Sequence, residues 1–301
     1  MPGDEKAAAI DVGSNTVHML VASWRDGDLA IADEASQLVG LAQDVYAGGR
    51  IAPDRLAEAA DAVARLVARA RDDGAGTILL VATAAVRDAA NADDLVAAVR
   101  ERTGLDLQTI DGEREAQLTY RGASSGEEGG SLQVCDVGGG STETIRADGG
   151  TVTLETSLPL GSSRLTRPDA ADPPTDAQVA AAYDEAARAL AALPPFHPTR
   201  LIVTGGTATA LAAVGGAAAG TGTTRRYVMP AAELESIRDR LRREASSEVA
   251  ARYRVEPKRA RLLPAGASII AALCAAAGTD RVVLNAAGLR DGLLIDYFKG
   301  R

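Results

Sequence analysis

The chain has 301 residues, enough for two domains of about 150 each, and its 46% hydrophobic and 24% charged content is that of a folded protein, not a disordered one. A formal net charge of −9 argues against a general nucleic-acid binder, which needs a basic excess. It leaves room for a phosphorylated substrate held by local arginines, backbone N–H groups and a divalent cation.

The opening segment Ala8-Ala9-Ile10-Asp11-Val12-Gly13-Ser14-Asn15-Thr16 reads as a strand, an Asp-Val-Gly turn and a return into the apolar run Val17–Ala22. Pro53-Asp54 opens a helix that carries Leu56, Ala60, Val63, Leu66 and Ala70 on one face and stops at Gly74. Ile78–Ala82 is a buried strand, Asn91–Arg102 a helix stopped by Gly104, Leu105–Ile110 a strand, and a helix starts near Gly112-Glu113. Ser124–Gly130 is the best linker or hairpin candidate. Leu132–Thr142 then repeats the opening pattern, with Asp136-Val137-Gly138-Gly139-Gly140-Ser141 leading into Glu143–Ile145.

Two copies about 125 residues apart predict two related domains, 1–122 and 123–301, with the last helix open to packing back on the first. In the second, Thr166–Asp176 is a loop, Asp176–Leu193 an Ala-rich helix, Arg200–Thr204 a strand, Gly205-Gly206-Thr207 a tight turn and Ala208–Val214 a helix. Gly215–Thr224 is read as a flexible loop, followed by helices over Ala231–Ala245, Pro257–Leu263 and Ala265–Ala277, a strand over Arg281–Asn285 and a helix over Leu289–Lys299. Strands interleaved with helices in both halves give an α/β chain. Aromatics are only 3% of the residues, so the core is built from Ala, Val, Leu and Ile.

No apolar run approaches the ~18–20 residues of a membrane span, and MPGDEKAAAIDVGSN has no basic region followed by a long apolar stretch. The two cysteines, Cys135 and Cys274, have neither metal-ligand nor disulfide-framework spacing, so a reducing cytoplasm is expected. Cys135, inside a strand, reads as a small core residue, and His18 and His197 have no partner pattern.

Asp11 and Asp136 each end a strand before a turn rich in N–H donors, where a carboxylate can hold Mg²⁺ and the amides can cradle a phosphate. Either turn alone is also ordinary hairpin chemistry; the repetition favours a functional role. No Gly-Lys-Ser/Thr is present, which excludes a P-loop NTPase. Arg87 follows a buried strand, at the end where α/β sites lie. The residues alone leave open whether it grips phosphate or pairs with Asp88, Asp93 or Asp94. Glu113 and Glu115, at a helix start, are both candidates for a general base and both ordinary first-turn acids. Arg225–Arg261 holds eleven basic and six acidic residues, either a guide for a polyanion or the solvated face of helices.

Taken in order, Asp11-Val-Gly-Ser-Asn-Thr, Ala82-Thr-Ala-Ala-Val-Arg-Asp-Ala-Ala-Asn, Gly112-Glu-Arg-Glu-Ala, Asp136-Val-Gly-Gly-Gly-Ser-Thr-Glu143, Ser157-Leu-Pro-Leu-Gly161, Gly205-Gly-Thr and Gly288-Leu-Arg-Asp-Gly292 resemble the Ppx/GppA family of exopolyphosphatases and guanosine pentaphosphate phosphohydrolases. The resemblance covers essentially the whole chain. It implies an actin-like, duplicated ribonuclease-H fold with the active site in the cleft between two domains. It further implies hydrolysis of a terminal phosphoanhydride with Mg²⁺, with K⁺ as a further cofactor candidate, in a cytoplasmic homodimer acting on inorganic polyphosphate or pppGpp. Carried over by position, the general base falls on Glu115 and not on Glu113. The phosphate loops fall on Gly13, Ser14, Asn15, Thr16 and on Gly138, Gly139, Gly140, Ser141. Asp11, Asp136 and Glu143 organise the metal and the attacking water, and Arg87 grips phosphate.

Two departures stand out. Arg114 occupies a place that is acidic in many relatives, and Leu38-Val39-Gly40-Leu41 lacks an arginine that many relatives carry there. The favoured reading is an exopolyphosphatase, with pppGpp 5′-phosphohydrolase as the alternative; an actin-fold kinase and a non-catalytic polyphosphate- or alarmone-binding regulator are the readings from other classes.

Overall fold

The computed structural model describes residues 5–127, 129–167, 169–216 and 225–300. The chain divides into two compact units, one of residues 1–122 with 288–301 and the other of residues 123–287.

Unit 1 runs β1 (Lys6–Val12), β2 (Thr16–Arg25), β3 (Asp28–Leu38), α1 (Leu41–Gly48), α2 (Pro53–Asp72), β4 (Ala75–Ala82), α3 (Ala84–Asp88), α4 (Ala92–Thr103), β5 (Leu107–Thr109) and α5 (Gly112–Ala123). Unit 2 runs β6 (Ser131–Val137), β7 (Thr142–Asp148), β8 (Thr151–Leu158), α6 (Ser162–Leu165), α7 (Asp176–Ala191), β9 (Arg200–Thr204), α8 (Gly206–Val214), β10 (Arg226–Pro230), α9 (Ala231–Leu241), α10 (Ser246–Tyr253), α11 (Pro257–Ala277) and β11 (Arg281–Asn285). The last helix, α12 (Leu289–Lys299), returns to unit 1. The sequence division assigns residues 123–301 to the second domain and leaves this helix open to packing back on the first.

The first sheet has the order β3-β2-β1-β4-β5 and the second β10-β11-β9-β6-β7-β8. Removing β10 leaves β8-β7-β6-β9-β11, the same succession of first, second and third strands in a meander with two parallel strands added on the other side of the first. The repeat seen in the sequence is therefore a repeat of topology. Each copy begins with a hairpin whose turn is the glycine-rich segment: Val12 pairs with Val17, and Val137 with Thr142.

The apolar run of β1 is continuous because both faces are covered. Ala8, Ile10 and Val12 pack in the core beneath α2 and α4, while Ala7 and Ala9 on the opposite face join Leu20, Ala22 and Leu294 of α12. Unit 2 builds its core from Cys135, Val137, Leu201, Val203 and Leu284 of the sheet and the inner faces of α7, α8, α9 and α11.

Three readings of this half change. Pro264 does not divide two helices: α11 runs unbroken across it, the hydroxyl of Ser268 donating to the Pro264 carbonyl at 2.8 Å. The helix expected over 231–245 stops at Leu241, and α10 begins at Ser246, whose N–H and hydroxyl bond Asp172. Gly206 and Thr207, read as a turn, already belong to α8.

Against the expectation that no apolar run approaches the length of a membrane span, α11 is by length and composition apolar enough to cross one; most of it is buried inside the unit. The linker candidate at 124–130 is anchored through Glu127, whose buried carboxylate pairs with Arg200 and Arg226. Of the loop expected over 215–224, residues 217–224 lie outside the described residues.

Candidate active site

In unit 1 the turn after β1 is closed by Gly13 N–H donating to the Thr16 carbonyl at 3.1 Å, and a Cβ at position 13 would crowd that oxygen. The Asn15 carbonyl accepts from the amides of Val39 and Gly40 at 2.7 and 2.8 Å, and the Ser14 carbonyl from Ala42 at 2.7 Å. Gly40, in the left-handed region at φ 79°, lets the chain turn onto the loop, as the sequence Leu38-Val39-Gly40-Leu41 requires. Arg55 of α2 donates to the Val39 carbonyl of that segment at 2.8 Å and lies 3.4 Å from Asp44. Ser14 and Thr16 are buried; Asp11 and Asn15 are partly so.

On the same unit, Arg87 sits in α3 just beyond β4. Its guanidinium donates to the Ile110 carbonyl at 3.0 Å and to Glu115 Oε2 at 2.9 Å. Where the sequence leaves the partner of Arg87 open between phosphate and Asp88, Asp93 or Asp94, the structure places Glu115 against it, and α5 explains why. Asp111 caps that helix by accepting from Arg114 N–H at 2.7 Å, which aims position 115 inward and position 113 outward. Glu115 is only 6% exposed, whereas Glu113 faces solvent. Arg114, beside the buried acid in sequence, points elsewhere: it donates to Asp296 of α12 at 2.7 Å, and Arg121 binds the same carboxylate.

Unit 2 repeats the loop with different surroundings. Gly138 N–H donates to the Ser141 carbonyl at 3.0 Å, the counterpart of the bond from Gly13 to Thr16. Asp136 stands opposite Glu143 in the antiparallel register, where Asp11 stands opposite His18. Glu143 is almost completely buried, and its Oε1 accepts from the Ser157 hydroxyl at 2.7 Å. Asp136 also packs on Gly205, at φ 92°, where a side chain would collide with the carboxylate. Next to it, Gly206 opens α8 directly beneath the guanidinium of Arg259, which burial pulls below the ordinary arginine range.

Ser157, Arg164 and Arg259 were not singled out from the sequence. Ser157 and the Gly161 segment carried a family signature but no role, and Arg259 was one cation in a basic run. Four cations of that run are held in ion pairs, Arg238 with Glu235, Arg242 with Asp176, Arg252 with Glu244 and Arg261 with Asp172. His197 bonds the Ala277 carbonyl at 3.2 Å, a structural contact.

Among the described residues no three His, Cys, Asp or Glu side chains gather as a ready-made metal cage. The donor set suits Mg²⁺ nonetheless. That ion keeps several waters and is commonly bound by only one or two carboxylates together with substrate phosphates, and Asp136 and Glu143, opposite one another in the strand register, are carboxylates of the kind it takes.

The topology repeated in two sheets, each opened by an Asp-ended strand and a glycine-rich turn, defines an actin-like two-domain α/β protein. The Ppx/GppA phosphatase family model matches residues 20–300, and the chain belongs to that family: it is an enzyme, a hydrolase of phosphoanhydride bonds. It is 32% identical over 305 residues to Exopolyphosphatase 1 of Mycobacterium tuberculosis, covering 96% of this chain and 87% of that one. Over 155 residues it is 34% identical to a guanosine-5'-triphosphate,3'-diphosphate pyrophosphatase of Vibrio cholerae, covering 51% of this chain and 31% of that one. The crystal structure of the Aquifex aeolicus member of the Ppx/GppA family superposes with a TM-score of 0.82 at 28% identity, covering 98% of both chains.

Proposed function

We propose that this chain is an exopolyphosphatase that removes the terminal phosphate of inorganic polyphosphate as orthophosphate. The observation that carries the reading is Glu115, a buried carboxylate held by Arg87 at 2.9 Å, on the unit that also bears the loop 13–16. A carboxylate so fixed can orient a water and take its proton as the water attacks the terminal phosphorus, a role worth roughly 10²–10⁴-fold in rate.

Phosphoryl transfer asks for in-line placement and charge neutralisation more than for covalent help. In this reading Gly13, Ser14, Asn15 and Thr16 and the amides of Gly138, Gly139, Gly140 and Ser141 take phosphate oxygens. Arg87 has two duties: it fixes Glu115 and presents positive charge to the phosphate under attack. Asp136 and Glu143, with Asp11 as a further candidate, would hold Mg²⁺, which supplies charge neutralisation on the phosphates when bound. Similarity along almost the whole length of a mycobacterial exopolyphosphatase supports polyphosphate as substrate. Similarity over half the chain to the Vibrio enzyme supports a second reading, hydrolysis of pppGpp to ppGpp with the same residues. The proposal includes a cytoplasmic homodimer.

The test is Mg²⁺-dependent phosphate release from tripolyphosphate and from pppGpp, in parallel, by wild type and Glu115→Gln, with the mass of the same preparation measured by light scattering. We expect release from tripolyphosphate that falls at least 100-fold in the variant. Release mainly from pppGpp exchanges the substrate for the second reading. Undiminished release by Glu115→Gln removes the assigned base, and a mass of one chain removes the dimer.

A further inference from the structure

The four carbonyls of the loop 138–141 are all occupied. Gly138 O accepts from Ser162 N–H at 2.9 Å and Gly139 O from Ser163 N–H at 2.9 Å and Arg164 N–H at 3.1 Å. Gly140 O accepts from Arg164 Nε–H at 2.9 Å, and Ser141 O from Gly138 N–H at 3.0 Å. The strap of residues 161–164 lies so close that a side chain at Gly161 would run into the Gly139–Gly140 peptide. The amides of Gly139, Gly140 and Ser141, by contrast, have no partner among the described residues.

This one-sidedness follows from the planarity of the peptide unit. In a trans peptide the C=O and the next residue's N–H point in opposite directions, so fixing a carbonyl fixes the following amide. Holding Gly138 O, Gly139 O and Gly140 O toward the strap turns the N–H groups of Gly139, Gly140 and Ser141 to the other side, as a row of donors suited to an anion. Glycine offers little resistance to a peptide flip, and Gly139 and Gly140 are adjacent. Each carbonyl therefore needs its own anchor. Those of Gly138 and Gly139 include backbone amides, with the Ser162 hydroxyl adding a longer bond to Gly138 O at 3.3 Å, so a change of side chain at 162 leaves Gly138 its amide anchor. The anchor of Gly140 is a side chain.

We propose that Arg164 is a positioning residue for this phosphate loop: its Nε–H holds the Gly140 carbonyl and thereby keeps the Ser141 amide facing the substrate. The inference rests on the phosphate-binding role given to the loop above. Without Arg164 the Gly140–Ser141 peptide is free to turn over, replacing a donor with a carbonyl oxygen that repels the phosphate.

Three variants separate the hydrogen bond from the charge. In Arg164→Gln the Nε2 donor stands where Nε stood, on a neutral side chain. Arg164→Met has neither donor nor charge, and Arg164→Lys keeps the charge but places a carbon at the Nε position. Each is compared with wild type for melting temperature, for kcat and KM on tripolyphosphate, and for the Ser141 and Gly140 amide resonances of ligand-free, ¹⁵N-labelled protein.

We expect Arg164→Met to raise KM about tenfold, the loss of one hydrogen bond to a charged group, with a smaller change in kcat and a displaced Ser141 resonance. Arg164→Gln is expected to recover most of the KM and the wild-type resonance. Equal loss in Gln and Met, with Lys near wild type, would make the charge responsible and overturn the positioning role. Unchanged KM and unchanged resonances in Met would overturn it as well. Should Arg164→Met not fold, the contrast between Gln and Lys decides. If wild type releases no phosphate from tripolyphosphate or pppGpp, the functional reading fails, and the Ser141 resonance still tells whether Arg164 sets the loop.

Discussion

Asp11 and Asp136 close equivalent strands of the two sheets, yet the residue across the hairpin is His18 in one and Glu143 in the other. Unit 2 thus has two carboxylate residues opposite one another on its hairpin, while unit 1 has the buried, arginine-held Glu115. In the proposed mechanism these take different parts, the carboxylates of unit 2 holding the cation and Glu115 of unit 1 activating the water. The two cysteines show the opposite outcome, burial without chemistry. Burial pushes the Cys135 thiol up, and it pushes Cys274 up to about 12. Both therefore stay protonated and shielded at neutral pH. At pH 8 the native protein is expected to leave a thiol reagent such as Ellman's unreacted, and to take up two equivalents after unfolding; prompt native reaction at either cysteine would contradict the packing described. The aspartates and glycines of the loops were legible because the turn demands those residue types. The contact between Arg87 and Glu115 was not, because it spans 28 positions with no periodic pattern to announce it. Arg164 escaped for a related reason: a side chain that binds a backbone oxygen leaves no complementary residue in the sequence.

Between elements, α5 and α12 of unit 1 approach each other closely. A side chain at Gly292 would overlap the Leu118 carbonyl, and one at Gly122 the Gly288 carbonyl, so the two helices meet backbone to backbone. Asp296, taken by Arg114 and Arg121, fastens α12 to the exposed side of α5. Gly292→Ala must push the helices apart or bend one of them, and overpacking of this kind costs about 1–3 kcal/mol or more. We expect a lower melting temperature and, because α5 carries Glu115, a lower kcat; a melting temperature equal to wild type would show that the helices have room to separate. Gly288 and Gly292 were readable as a signature of the Gly-Leu-Arg-Asp-Gly segment, but their physical reason, a contact with a helix far back in the chain, lay outside any local pattern. Pro264 shows local reasoning failing in the other direction. A proline in a helix removes one hydrogen bond and crowds the preceding turn, which favours a break. Burial of the apolar residues on both sides of it, including Leu263, Ala267, Ile269 and Ile270, outweighs that cost and keeps α11 whole.

At the scale of the molecule, the duplicated topology was legible because its two hairpins share composition as well as spacing. The assignment of α12 was not legible to the same degree, since sequence order says only that it follows β11. In the structure it covers the face of β1 and β2 formed by Ala7, Ala9, Leu20 and Ala22, and those small residues are what permits a helix to lie close. A chain ending at residue 287 is expected to keep unit 2 intact while the amides of β1 and β2 lose their protection from hydrogen exchange. Equal protection of β1 in the shortened and full chains would show that α12 is not needed to hold the sheet.

The same feature sets an order of events during synthesis. The first strands of unit 1 leave the ribosome early, but the helix that seals one side of them is translated only after all of unit 2. For that interval the newborn chain carries an uncovered apolar sheet face, and the second unit, whose elements are contiguous in sequence, is in a position to reach its final form before the first.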